Sequence, residues 1–185
     1  PTAGRAEVFG TTPEEGGARL RSRIGYLPGE LAIEGRQTAG EALRYLARLR
    51  GTPETGIGPL AERFDLDLDR PFRGLSKGNK QKVGIVQAFM HSPELLILDE
   101  PTSGLDPLLQ REFASMVREA AAQGRTVFMS SHVLSEVQEV SDRVAIIRAG
   151  QIVDVDDVRA LREHAGQRIT LSFAGPIDTT VFEDL

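Results

Sequence analysis

The 185 residues carry 22 Lys and Arg against 27 Asp and Glu, a formal net charge of −5 at pH 7, with a sequence pI near 5.3. That balance gives no sign of a nucleic-acid partner, and 40% hydrophobic with 26% charged residues is the composition of one globular domain with its own core. The absence of cysteine excludes disulfides and thiolate metal sites and fits a cytoplasmic setting, while the lack of a membrane-length apolar run or a signal-peptide pattern means that any membrane the protein serves is crossed by another chain.

Taken in order, Arg5–Phe9 alternates between Gly4 and Gly10 and predicts a short strand. Ile24–Leu27 predicts a second, stopped by Pro28-Gly29. Thr38-Ala39-Gly40-Glu41 has capping-box spacing and predicts a helix with Leu43, Leu46 and Leu49 on one face, ending at Gly51. Another short helix is expected from Pro59 to Asp65, which makes most of the span from Thr38 to Gly74 helical and suggests a helical subdomain. Ser76 is the expected N-cap of the next helix, with Val83, Val86, Phe89 and Met90 on its buried face and an end near His91, ahead of Pro93.

Four aliphatic residues, Leu95 to Leu98, then predict a strand buried on both faces of a parallel sheet. Asp99 and Glu100 stand where that strand ends, and Pro101, Gly104 and Pro107 turn the chain sharply after them. In an open α/β sheet ligands bind at the carboxyl ends of the strands, and an acidic pair there can hold a metal and activate a water. Asp106-Pro107 opens a helix with Leu109, Phe113, Met116, Val117 and Ala120 inward and Gly124 at its close. Thr126–Met129 reads as a buried strand ending at Ser130-Ser131-His132, followed by a short helix carrying Leu134, Val137 and Val140. Val144–Ile147 and Ile152–Val155 form an expected hairpin through Arg148-Ala149-Gly150-Gln151. A last helix from near Asp156 gives way to the strand-like Arg168–Phe173. The alternation of strand and helix from Leu95 onward predicts an α/β fold with a parallel, layered core.

Four motifs recur here in a fixed order: Leu75-Ser76-Lys77-Gly78-Asn79, Leu95–Glu100, Ser103-Gly104-Leu105-Asp106 and Ser131-His132. Through them the chain resembles, from about Gly4 to Val155, the ATP-binding subunit of ABC transporters, and the Leu-Ser-Lys-Gly-Asn form, the Pro28-Gly29-Glu30 segment and the tail from Arg168 resemble the multidrug-export type. The resemblance implies a P-loop NTPase-like core with a mostly parallel sheet. It also implies an ATPase domain over 1–163 with its helical subdomain at about 38–91, and an accessory segment beginning at 164–185. ATP and Mg²⁺ are the implied cofactors.

By the same resemblance Asp99 holds Mg²⁺ through water, Glu100 polarises the attacking water and His132 senses the γ-phosphate. Ser76, Lys77, Gly78 and Gln81 belong to the signature stretch, a helix N-terminus offered to the nucleotide of a second subunit. Lys77, Lys80 and Lys82 either support that phosphate field or form a solvated basic face. Asp106 resembles the residue that couples the two sites of a dimer, a role compatible with capping a helix. Gly29 stands where the family has a glutamine near Mg²⁺, with Glu30 beside it. Either Glu30 substitutes for the missing side chain or the pair is a plain loop. His91 and His164 read as packing or surface residues.

The implied partners are a membrane permease and a second ATPase subunit, with no nucleic acid, and the implied location is the inner face of the cell membrane through the permease. No Gly-x-x-x-x-Gly-Lys-Ser/Thr run occurs. The chain starts at Pro1 and closes on Phe182-Glu183-Asp184-Leu185, so a piece of a longer protein is expected, with the phosphate loop upstream and little activity in the piece alone. The alternative is a soluble ABC-type ATPase acting on ribosome or nucleic acid. The lack of a heptad run between Glu30 and Ser76 weakens its coiled-coil version.

Overall fold

The structure, a computed structural model, describes residues 3–31 and 36–159. It divides into two compact units, one ending at Val140 and one beginning at Ser141. The accessory segment at 164–185, the strand-like Arg168–Phe173, His164 and nearly all of the helix expected from Asp156 lie outside the described residues.

The first unit holds helix α1 (Pro13–Ser22), strand β1 (Ile24–Leu27), α2 (Ala39–Arg50), α3 (Ile57–Arg63), α4 (Lys77–Phe89), β2 (Leu95–Asp99), α5 (Pro107–Ala122), β3 (Thr126–Ser130) and α6 (Leu134–Val140). Short 3₁₀ turns at Glu54–Gly56 and Phe72–Gly74 complete it. The strands form one sheet in the order β1-β2-β3, parallel throughout. The helical stretch between β1 and β2 is the crossover that parallel pairing demands.

Period-two alternation sorts the sheet into two faces. The rows Gly25–Leu96–Val127 and Leu27–Leu98–Met129 lie on one face, packed with Ile85, Ala88 and Phe89 of α4 and with Phe113, Met116, Val117 and Ala120 of α5. Phe89 meets Phe113 edge-on, with ring centroids 6.4 Å apart. The row Tyr26–Ile97–Phe128 lies on the other face, where Tyr26 is 49% and Phe128 68% exposed. The expectations that β2 is buried on both faces and that β3 is a buried strand are therefore corrected. Tyr26 and Phe128 thus stay open on the second face while Ile97 is half-buried, and burial follows what lies over a strand, not its apolarity alone.

A second cluster forms the helical subdomain, where Ala39, Leu43 and Ala47 of α2 pack with Ile57 and Ala61 of α3 and Val83, Val86 and Met90 on or beside α4. Thr38 and Glu41 complete the expected capping box, and Gly51, at φ 68°, takes the left-handed C-cap. Leu49 departs from its expected face, at 70% exposed. So α4 turns one side to the sheet and the other to the subdomain, and a Cβ on Gly25 would fall on the Ala88 carbonyl oxygen where α4 crosses β1.

Arg5–Phe9 is not a strand. Val8 pairs only with Thr11 in an isolated bridge, across a turn in which Phe9 and Gly10 have φ of 53° and 76°. Helix α1 then follows, capped by Thr12 and Glu15 with Pro13 in its first turn, an element the sequence reading lacked.

The second unit contains the expected hairpin, β4 (Arg143–Arg148) and β5 (Gln151–Asp157), antiparallel. Ala149 and Gly150 both have positive φ, the requirement of the tight turn whose twist suits a hairpin.

Candidate functional site

The parallel register of β2 and β3 places Ser130 opposite Asp99 at the carboxyl edge of the sheet. Ser130 Oγ donates to Asp99 Oδ1 at 2.6 Å and accepts the Glu100 N–H at 3.1 Å. Glu100 itself has φ +46°, a left-handed conformation that is costly for a residue with a Cβ. Its carboxylate meets His132, two residues beyond β3, with Nδ1 to Oε2 at 2.8 Å. An ionised carboxylate can only accept, so Nδ1 carries the shared hydrogen, and Nε2 has no partner among the described residues. The His132 side chain is 79% exposed and that of Glu100 32%, so both remain open to an incoming group.

The turn after Glu100 is braced from behind. Gln81 of α4 is buried and spends its amide hydrogens on the carbonyls of Glu100 (3.1 Å) and Pro101 (2.9 Å). The amide is directed at the backbone of the acidic turn, which gives Gln81 a bracing part in this structure. Thr102, also buried, donates to Glu136 Oε2 at 2.7 Å, and Ser131 donates to the same oxygen at 3.0 Å. One carboxylate oxygen on α6 thus ties the turn bearing Glu100 to the loop bearing His132.

Gly29 lies beside this site: a Cβ there would stand 3.0 Å from Asp99 Oδ2. Glu30 is exposed, and Gly29 is half-buried. Among the described residues Asp99 therefore offers one uncommitted carboxylate oxygen, facing a residue without a side chain. Among the described residues no three His, Cys, Asp or Glu side chains gather as a metal cage. A lone hard oxygen fits Mg²⁺ that brings phosphate and water ligands with it, and does not fit a transition metal needing several protein donors.

The signature residues form a second locus around Gly104. Ser76 caps α4 by accepting the Asn79 N–H at 3.2 Å. A Cβ on Gly78 would lie 2.5 Å from the Gly104 carbonyl oxygen, and the Lys77 stem runs along the same glycine. Asp106, two residues on, caps α5 by accepting the N–H groups of Leu108 and Leu109 at 3.0 Å. Lys82 Nζ donates to the Asp65 carbonyl at 3.2 Å and Lys80 sits 5.6 Å over the Phe72 ring, so both have local partners.

The structure thus joins Asp99, Glu100, His132 and Gly29, sets Gln81 behind them, and gathers Ser76, Lys77, Gly78 and Asp106 at Gly104. Ser130, Thr102 and Glu136 are candidate residues that the sequence reading passed over, while Ser131, named there beside His132, gains a partner in Glu136. Only for Ser130 was there a signal, the serine pair just before His132.

A family model described as an AAA domain, putative AbiEii toxin, Type IV TA system, matches residues 51–137. The chain is 36% identical over 167 residues to the bacitracin transport ATP-binding protein BcrA of Enterococcus faecalis, covering 88% of this chain and 54% of that one. It is 34% identical to the ABC transporter ATP-binding protein NatA of Bacillus subtilis, covering 83% of this chain and 65% of that one. It is 32% identical to the probable multidrug ABC transporter ATP-binding protein YbhF of Escherichia coli, covering 86% and 29%. The chain thus spans less than two thirds of the length of each of these relatives. A solved structure described as the ATP binding subunit of an ABC transporter superposes with a TM-score of 0.80 at 30% identity, over 88% of this chain and 70% of that one.

Proposed function

The chain belongs to the ATP-binding subunits of ABC transporters, and from that premise we propose that the full-length protein hydrolyses ATP to drive export through a separate membrane permease. The observation that carries the reading is the 2.8 Å Glu100–His132 pair beside Asp99 at the carboxyl edge of a parallel sheet. Glu100 is the base that orients and polarises the attacking water, because an ionised carboxylate held on one oxygen keeps the other to accept a water proton. His132, held through Nδ1, turns Nε2 to the γ-phosphate and donates to it when both ring nitrogens carry hydrogen. Asp99 Oδ2 is the oxygen available to Mg²⁺, which when bound would neutralise charge on the phosphates.

Ser76, Lys77 and Gly78 offer the N-terminus of α4 to the nucleotide of a second copy, with Asp106 on the loop that joins the two sites. Two copies then close around two Mg·ATP, on the inner face of the membrane through the permease. The ATPase domain is proposed over 1–163 with the subdomain at about 38–91. Gly29 leaves room beside Asp99, and Glu30, exposed next to it, has no contact among the described residues that assigns it a task in place of a glutamine. Because the 185 residues contain no Gly-x-x-x-x-Gly-Lys-Ser/Thr run, they are proposed to be inactive by themselves. The named relatives are transport proteins, and no observation favours a soluble protein of the ribosome or of nucleic acid.

In the full-length protein Glu100→Gln is expected to cut ATP turnover by about 10²- to 10⁴-fold while nucleotide binding is kept. Turnover at the wild-type rate in that variant would remove Glu100 from the role.

A further inference from the structure

A hydroxyl has one hydrogen and two lone pairs, and Ser130 uses both kinds on two neighbouring residues of one strand end. Its hydrogen goes to Asp99 Oδ1 at 2.6 Å, the length of a charge-assisted O–H···O⁻ bond. Without that bond the carboxylate could turn about χ2 and present either oxygen, since this torsion is broad. With it, Oδ1 is committed and Oδ2 is the oxygen that faces Gly29.

The second bond acts on Glu100. A left-handed residue that is not glycine persists only where its surroundings over-determine it. Here the Glu100 N–H is held by Ser130 and the Glu100 carbonyl by Gln81 Nε2 and by the Ser103 N–H at 3.1 Å each. The peptide groups on both sides of Glu100 are thereby clamped, and the carboxylate emerges toward His132. Ser130 is the clamp on the N–H side.

We propose that Ser130 is a positioning residue of this site: its one hydroxyl selects which oxygen of Asp99 faces the cation and holds the turn that carries Glu100 to His132. The proposal rests on the ATPase reading, and Ser130 acts through Asp99 and Glu100, without touching the nucleotide.

The test uses the full-length protein. The rise in melting temperature caused by a non-hydrolysable ATP analogue is titrated against Mg²⁺, and hydrogen exchange at the Glu100 amide is followed in the same samples. Ser130 is exposed, so Ser130→Ala removes the hydroxyl without opening a core cavity. Loss of a hydrogen bond to a charged group predicts an Mg²⁺ midpoint about tenfold higher, with faster exchange at Glu100. Ser130→Thr keeps the hydroxyl on a residue suited to a strand and is expected to restore both. A wild-type protein that responds to Mg²⁺ while Ser130→Ala matches it overturns the assignment of Ser130 alone, as does a defect that Ser130→Thr fails to repair. A wild-type protein without any Mg²⁺-dependent rise overturns the ATPase reading and this proposal together.

Discussion

His91 sits between three elements, with Nε2 against the Ile24 carbonyl of β1 at 3.2 Å and both ring nitrogens near Arg50 Nη1 of α2 at 3.1–3.2 Å. Gln87 of α4 closes the group, its amide oriented to accept from Arg50 and donate to the Tyr26 carbonyl. Burial, and then the Arg50 guanidinium, hold the His91 pKa below its ordinary 6.5, against a smaller opposing effect of the Ile24 carbonyl. The unfolded chain therefore takes up this proton at a higher pH than the folded one. Stability is complete above about pH 6.5 and is lost as the pH falls below it toward the folded pKa. Denaturant midpoints measured at pH 7.5 and pH 5.5 should differ for the wild type, and His91→Gln should narrow the difference. The carboxylates of Glu94 and Glu119, paired with Arg23 and Arg63, have lowered pKa values and act only at more acid pH. Residue type announced Asp99, Glu100 and His132 as chemistry, but glutamate gives no warning of a positive φ. The partners of Ser130 become visible only once two strands distant in sequence are set in register.

At the level of elements, α4 is the member on which both clusters depend. Ile85 is fully buried toward the sheet side and Val86 toward the subdomain. Ile85→Ala is expected to cost about 2–5 kcal/mol, because the neighbours on both sides limit collapse into the cavity. Urea denaturation of the full-length protein measures it. Strands β1 and β2, helices α2 to α5 and the hairpin were legible because caps, periodicity and turn residues agreed. Helix α1 was hidden by Gly16-Gly17, although Thr12-Pro13-Glu14-Glu15 carries the capping pattern; Gly17, at φ 51° and ψ −136°, does interrupt it. The apolar run Val127-Phe128-Met129 was read as a buried strand, yet the sequence cannot say which neighbours will lie over it. Arg63 also went unread as a tie. It reaches Glu112 at 2.6 Å and Glu119 at 2.8 Å, joining α3 to α5.

For the whole molecule, the row Tyr26–Ile97–Phe128, with Tyr26 and Phe128 exposed, is a surface prone to self-association. Phe128→Lys in the 185-residue chain is expected to lower concentration-dependent light scattering without altering the circular dichroism spectrum. Unchanged scattering would clear this face of blame. A different consequence follows from the fit of Gly78 against Gly104, where not even a methyl group has room. The tip of α4 and the bend ahead of α5 therefore meet backbone to backbone, and Gly78→Ala is expected to push the two apart and lower the melting temperature of the full-length protein.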